Sequence, residues 1–398
     1  MCPSKFHPRS TRVSLLALLL LPIDCTPPDV AGRVVVQQAP AEAQAVALAA
    51  VRVETTSVSG TISEAARMPG PATTARADAP ARNAACEGCH RDIAAEWRGS
   101  LHHRAYTEAT FARALAREPT GFCRGCHAPE ADPSRPAPKA LAALGVGCIS
   151  CHAPAHAGLA DGAVWAGPAA TGAAPHPVVP SAAFAGVPGC ANCHEFGFDH
   201  EPAMLMQATV REHAASRFAG SSCADCHMPR VGEGSRRHRS HGFAASRDPA
   251  LLRTALQVEA RRSRGSITLR LVPAAVGHAV PTGDLFRRLW IEAETRDSGG
   301  EVVAHAARAL GRRFGQHHDG VLRRKLELAD DRPGGPQAAA DGGITVVLEL
   351  GAEVDASTVR WRVLHQRVEL PLQDDEAIIA GTIELAAGTL PPLENGQP

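Results

Sequence analysis

The sequence predicts a multidomain protein: a mostly α-helical and irregular region followed by an all-β, antiparallel, sandwich-like domain. Three observations predict it. Ten of the 12 cysteines fall in five Cys-x-x-Cys-His motifs, all before residue 228. Aromatic residues make up only 4% of the chain, with a single Tyr, so ordinary side chains make a poor core there. After residue 250 no cysteine remains, and apolar and polar residues alternate in short runs separated by Gly- and Asp-rich turns. A length of 398 residues accommodates two domains. The 41 Lys+Arg balance 41 Asp+Glu, which argues against a nucleic-acid binder.

In chain order, Lys5, Arg9 and Arg12 precede the apolar run Val13–Leu21. This reads as a signal peptide over residues 1–24, too short for an ordinary transmembrane helix. Cys25 follows and is a candidate lipid anchor, although Pro22-Ile23-Asp24 departs from the small residues expected before a lipidated cysteine. No later stretch is suited to span a bilayer, so the mature chain is expected to lack a transmembrane span. It is expected to be periplasmic or otherwise extracytoplasmic, with lipid anchoring open. Residues 25–80 are rich in Ala, Pro, Val and Thr and read as a flexible linker.

Residues 81–247 carry Cys86-Glu-Gly-Cys89-His90, Cys123-Arg-Gly-Cys126-His127, Cys148-Ile-Ser-Cys151-His152, Cys190-Ala-Asn-Cys193-His194 and Cys223-Ala-Asp-Cys226-His227. Two thiols and a following His form the attachment signature of c-type haem. The thiols add across the porphyrin vinyl groups and the His becomes the proximal iron ligand. Zinc ribbons, redox dithiols and iron–sulfur sites also use Cys-x-x-Cys pairs, but none requires His after every pair. Five covalently bound haem c groups are therefore expected. Their apolar rings stand in for the missing aromatic core, giving a haem-packed domain that should not fold without them. The steps between motifs, 37, 25, 42 and 33 residues, are irregular and exclude a solenoid. Helical spacing predicts helices over 92–115 and 204–218, with Pro-rich loops near 129–138 and 175–188.

Each iron needs a sixth ligand or an open position. Histidine is the best candidate, with Met204, Met206 and Met228 ranked below. His200 and His213 remain open, His213 in a helix where packing is an equal alternative. Three segments carry a resemblance: Trp97-Arg-Gly-Ser100-Leu-His102; Gly145-Val-Gly-Cys148-Ile-Ser-Cys151-His152-Ala-Pro-Ala-His156; and Cys223-Ala-Asp-Cys226-His227-Met-Pro229 with His238-Arg-Ser-His241-Gly-Phe243 after it. They resemble the multihaem cytochromes related to the tetrahaem electron carrier that accepts electrons from hydroxylamine oxidoreductase. Ala153 departs from that pattern, standing where the family has Gly. The resemblance implies that His102, His156 and His241 are distal ligands, with His103 and His238 as rivals of the first and last. His156 lies too near His152 to serve the same iron and would cross to another haem.

Residues 248–398 form the predicted β domain, with strands at 266–272, 289–295, 344–350, 359–363 and 378–385. The segment Gly277-His278-Ala-Val-Pro281-Thr-Gly283-Asp284 joins two of them. It resembles a Gly-His-x-x-Pro-Thr-Gly loop found after the haem region of many multihaem cytochromes, which implies that His278 is a distal ligand reaching into the haem domain. His305, His317 and His318 have weaker claims, and Arg308–Arg324 reads as a solvated or partner-docking surface.

The function expected is that of an exported pentahaem c-type cytochrome. It carries electrons through closely packed, mostly bis-His haems, with other redox proteins or a membrane quinol-linked complex as partners. The alternative is a multihaem oxidoreductase acting on a small nitrogen compound of the hydroxylamine or nitrite class at an open-site haem. Against it, no motif carries the Lys that nitrite reductases of this group use, and Tyr106 is the lone Tyr. A third reading makes haem a structural staple and the sandwich a binding module.

Overall fold

Short helices dominate the first part of the computed structural model, which describes residues 67–170, 174–198, 201–315, 326–372 and 375–393. The predicted signal peptide, Cys25, most of the linker, His200, His317 and His318 lie outside the described residues. The helices are α1 (Ala79–Cys89), α2 (Arg91–Gly99), α3 (Ala109–Arg117), α4 (Gly121–His127), α5 (Lys139–Leu144), α6 (Cys148–His152), α7 (Ala182–Ala185), α8 (Pro188–His194), α9 (Thr209–Ala214), α10 (Cys223–His227) and α11 (Pro249–Arg253). Between them run three two-stranded ladders: β1 (Val164–Ala166) with β2 (Val178–Pro180), β3 (Glu195–Phe198) with β4 (Glu201–Ala208), and β5 (Arg230–Val231) with β6 (His238–Arg239). Among the described residues no helix is long and apolar enough to cross a membrane.

Two expected helices are corrected. The one over 92–115 is two helices, α2 and α3. Glu108 ends the break between them, its carboxylate accepting from the backbone N–H of Thr110 and Phe111 at 2.9 and 3.0 Å, an N-cap that restarts the helix. The one over 204–218 begins as strand β4 and turns helical only at Thr209. Met204 and Met206 have the period of either structure, and pairing with β3 decides for the strand. The linker also ends earlier than composition suggests. Met68 is fully buried, and Arg76 donates to Glu130 at 2.5 Å and to the Ala153 carbonyl at 2.7 Å, so residues 68–80 pack as part of the helical region.

The β domain is two antiparallel sheets. Strands β7 (Leu256–Ser263), β8 (Ser266–Pro273), β9 (Arg287–Arg296), β10 (Val302–Gly315), β11 (Leu326–Asp330), β12 (Ile344–Glu349), β13 (Val359–Pro371) and β14 (Ala377–Leu390) form a five-stranded sheet, order β11-β10-β9-β13-β14, and a three-stranded one, order β12-β8-β7. Alternation sets the faces: Ile267, Leu269 and Leu271 of β8, and Leu289, Ile291 and Ala293 of β9, are fully buried with Val346, Val359 and Val363 in one core drawn from both sheets. Each such Leu or Ile stabilises by about 1.5–3 kcal/mol. All five predicted strands are present, and β7, β10 and β11 are additional. The basic stretch beginning at Arg308 is, in its described part, strand β10 rather than a free patch. Arg308 and Arg313 pair with Asp331, and Arg312 with Glu327 at 3.0 Å.

The described residues belong to one compact unit. Arg312 donates to the carbonyls of Met206 and Leu205 at 2.7 and 2.5 Å, and Arg113 forks onto Glu369 of β13 at 2.8 and 2.9 Å. The sandwich thus grips the helical region at two separate places.

Candidate functional site

All five motifs lie on short helices, and this explains their spacing. In a helix, residues i, i+3 and i+4 share one face. Cys123, Cys126 and His127 of α4 therefore point the same way, as do the triads of α6, α8 and α10; in the first motif His90 is the residue that ends α1. These faces converge. All ten motif cysteines and all five motif histidines line one continuous cavity of ≈ 3660 Å³. A pocket for one drug-sized ligand holds roughly 300–1,000 Å³, so this space suits several macrocycles. The thiols of Cys126 and Cys193, and of Cys190 and Cys223, touch across motifs. Burial pushes Cys148 up to about 11 and Cys151 up to about 12. Among the described residues no three His, Cys, Asp or Glu side chains converge as a zinc site requires.

The histidine rings carry the sharper test of fit. A metal–imidazole bond is about 2 Å long and the ring centre lies about 1 Å beyond the nitrogen, so two imidazoles on one iron have centroids about 6 Å apart. Four pairs show this spacing: His90 with His176 at 6.3 Å, His152 with His241 at 6.2 Å, His194 with His102 at 6.1 Å, and His227 with His278 at 6.2 Å. Hydrogen bonds set the ring tautomers. Nδ1 of His127, His152 and His227 donates to the carbonyls of Ala105, Trp165 and Ala244 at 2.6–2.7 Å, and Nδ1 of His241 and His278 to those of Arg239 and Ala279 at 2.8 and 3.0 Å. A carbonyl only accepts, so the proton sits on Nδ1 and Nε2 keeps its lone pair for a metal. Burial favours the neutral, ligating form, lowering His102 to about 3 and His194 and His241 to about 4.

The ring of His102 is set by its backbone. Trp97 Nε1 donates to the Val146 carbonyl at 2.8 Å, and Val146 N–H to the His102 carbonyl at 2.9 Å. Gly145 sits at φ 58°, where a Cβ would stand 2.4 and 2.5 Å from the carbonyls of His103 and His102. Only glycine permits that approach, which explains the Gly145-Val146 step before the third motif. His241 and His102 meet through Phe243, whose ring centroid is 5.6 Å from the first and 4.2 Å from the second. Phe243 holds φ 49°, an uncommon backbone for an aromatic residue. His278 is fixed from both domains. Arg332, 3% exposed, donates to the Pro281 carbonyl and to Glu212 of α9, both at 2.7 Å; Glu212 in turn accepts from Thr282 Oγ1 at 2.6 Å and the Ala279 N–H at 3.3 Å.

The remaining expected ligands are placed differently. His156 is turned to Met68, Nε2 donating to its carbonyl at 2.8 Å, and does not line the cavity. His213 lines the cavity, packed where a Cβ on Gly277 would stand 3.2 Å from its Cδ2, and shares no ring pair among the described residues. His238 has both ring nitrogens engaged, with the Arg236 carbonyl and with Glu96, which raise its pKa, so it is suited to an ion pair. His103 packs on Trp97 at 4.4 Å. Met204, Met206 and Met228 line the cavity. His176, opposite His90, was not singled out in the sequence; its flanking Pro175 and Pro177, which stiffen the loop, were the available signal. His127 is the motif histidine with no partner ring at the iron-spanning distance among the described residues; Phe111 stacks on it at 3.7 Å instead.

Residues 85–153, spanning the first three motifs, match the family described as Cytochrome c554 and c-prime. The structure is similar to that of a penta-heme cytochrome c552 from Thermochromatium tepidum, with a TM-score of 0.58 and 17% identity over 77% of this chain and 97% of that one. No curated protein matches the chain. The chain thus shares its fold, and over residues 85–153 its motif pattern, with multihaem c-type cytochromes.

Proposed function

We propose that this chain is an exported pentahaem electron carrier, with haem c bound covalently at all five motifs. His176, His241, His102 and His278 are assigned as the distal ligands opposite His90, His152, His194 and His227. The carrying observation is the set of four imidazole pairs at 6.1–6.3 Å around one cavity. Bound there, haem cycles between ferric and ferrous iron, and two histidines favour a lower potential than His/Met. The protein holds the rings, keeps them neutral and closes four irons to outside ligands.

The same contacts support an order of haems. His152 lies close to His90 and His176, His102 close to His241, and His194 close to His227 and His127. A path from the first haem through the third to the fourth, with the second and fifth beside the fourth, follows. Redox proteins or a quinol-linked membrane complex are the partners this reading implies. Mass spectrometry of the mature holoprotein tests the haem count, cleavage site and lipid together, and a mass lacking five haems defeats the reading.

One observation favours a second role. His127 lacks a partner imidazole among the described residues, so its iron is proposed to keep an open sixth position, as an oxidoreductase for a small nitrogen compound requires. Electron paramagnetic resonance separates the two. Five low-spin ferric haems mean a carrier alone; four low-spin and one high-spin mean an additional ligand site.

A further inference from the structure

The five motifs differ in how near they come to solvent. The two residues between the cysteines back the edge at which a haem would be attached. In the second and third motifs this spacer is buried, as Arg124-Gly125 and Ile149-Ser150. In the fifth it reaches the surface, the Asp225 side chain being 47% exposed. On the proposed electron path the fifth haem also stands at an end, beside the fourth. It is therefore a place where an electron can cross to another molecule.

A basic hairpin, β5 and β6, is fixed beside this motif. Arg239 donates to Asp225 at 2.6 Å and to the Ala224 carbonyl at 2.9 Å, which clamps the hairpin to α10. Its base is closed by the Ser240 N–H on the Pro229 carbonyl at 2.8 Å. The tip is set as firmly. Gly232 holds φ 73°, where a Cβ would stand 2.6 Å from the Arg236 carbonyl, so only glycine fits. Gly234–Arg236 then form a single 3-10 turn. Arg236 and Arg237 are thus presented on a fixed backbone. Both are exposed, and neither pairs with a carboxylate among the described residues. Neither lines the cavity, so haem carboxylates within it do not account for them. Residues 223–239 carry four Arg against Asp225 and Glu233, and Asp225 is spent on Arg239. Residues 82–98, an equal length around the first motif, carry three Arg and three carboxylates, and the whole chain is balanced. The positive excess is local to the fifth motif.

Resting on the reading that the chain carries electrons through haem at the fifth motif, we propose that the β5–β6 hairpin, through Arg236 and Arg237, is the docking surface for an acidic electron-transfer protein. Uncompensated charge beside a redox centre steers an oppositely charged partner to it and raises the encounter rate. One electron crosses per encounter: the donor's cofactor is oxidised, ferric iron becomes ferrous, and no bond forms or breaks. An anionic lipid surface also attracts cations, but interfacial binding adds apolar side chains that insert. The large exposed apolar residues among the described ones, from Val302 to Ile378, all belong to the β domain and not to this hairpin.

The test uses holoprotein and two reductants: reduced flavodoxin, which is an acidic protein, and the neutral semiquinone of riboflavin. Each gives one electron to ferric haem. The second-order rate with flavodoxin should fall about tenfold as ionic strength rises from about 0.01 to about 0.15 M, which shortens the screening length from about 30 to about 8 Å. The double variant Arg236→Glu/Arg237→Glu should be about tenfold slower at low salt and lose that salt dependence, while its rate with riboflavin stays within about twofold of wild type. Arg236→Lys/Arg237→Lys should keep the wild-type rate, since steering needs the charge and not the planar fork. Arg261→Glu/Arg264→Glu, exposed at the β7–β8 turn, changes the net charge equally and should slow flavodoxin by less than about threefold. Haem absorption reports that each variant has matured. A flavodoxin rate unchanged in the Arg236→Glu/Arg237→Glu variant, a loss equalled by the distant pair, or flavodoxin and riboflavin slowed alike overturns the docking surface. So does binding to phosphatidylglycerol vesicles that this variant loses while its flavodoxin rate holds. A holoprotein without haem at the fifth motif, or one whose haems take no electron from riboflavin, overturns the carrier reading itself, a result distinct from all of these.

Discussion

Replacing Glu212 with Ala should loosen the fifth haem without touching it. The carboxylate receives Arg332, Thr282 and the Ala279 N–H at 2.7, 2.6 and 3.3 Å, and the last two belong to the loop that carries His278. Breaking a buried ion pair costs about 3–5 kcal/mol when the remaining charge is stranded. Here Arg332 keeps Asp330, with two contacts at 2.7 Å, and the Pro281 carbonyl at 2.7 Å. The loss should therefore lie nearer 2–3 kcal/mol, with two orphaned loop donors included. For a unit of this size that is a fall in melting temperature of about 3–5 °C. The specific signature is at iron. Glu212→Ala should convert part of one low-spin haem to a high-spin form in ferric absorption and resonance spectra, and Glu212→Gln, which keeps acceptors for Thr282 and Ala279, should do so less. A Glu212→Ala protein that melts with wild type and shows unaltered haem spectra would refute the idea that this network positions His278.

Other consequences follow from the ring pairs. His176→Ala should turn one further haem high-spin, whereas His156→Ala should leave all haem spectra unchanged and cost only the stability of its bond to Met68, about 1 kcal/mol; the opposite pattern would exchange their assignments. Gly145→Ala should destabilise by at least about 1–2 kcal/mol from its φ alone and displace His102 through the close carbonyl contacts, visible as a changed fourth-haem spectrum. Burial holds His102 near 3 and His194 and His241 near 4 against an ordinary 6.5. Between pH 6.5 and 4 the unfolded chain takes up protons that the folded chain refuses, so this contribution is complete above pH 6.5 and declines as pH falls through that window. The low-spin spectrum should survive to about pH 4 in an acid titration, and ligand release already near pH 6 would contradict the burial argument.

The chemistry of the motifs was legible in the residues because it is local. Cys at i and i+3 with His at i+4 share a face on a helical turn, and four of the five motifs satisfy this within one short helix, the first having His90 at the helix end. The strands of the sandwich were legible for the same reason, since two-residue alternation in Ile267, Leu269 and Leu271 directly encodes a buried face. Local signals failed where long-range pairing arbitrates. Met204 and Met206 fit a helix as well as a strand until β3 lies beside them.

Distal pairing lies wholly in the second class. Which imidazole faces which depends on residues up to about a hundred positions apart meeting over an iron-sized gap, and no spacing in the chain encodes that gap. Sequence alone marked the five thiol pairs and the histidine after each as the expected attachment points of a porphyrin. The folded chain alone decided that His176 rather than His156 stands opposite a motif histidine and that His127 stands without a partner ring among the described residues, because each of these is a relation between segments brought together by packing.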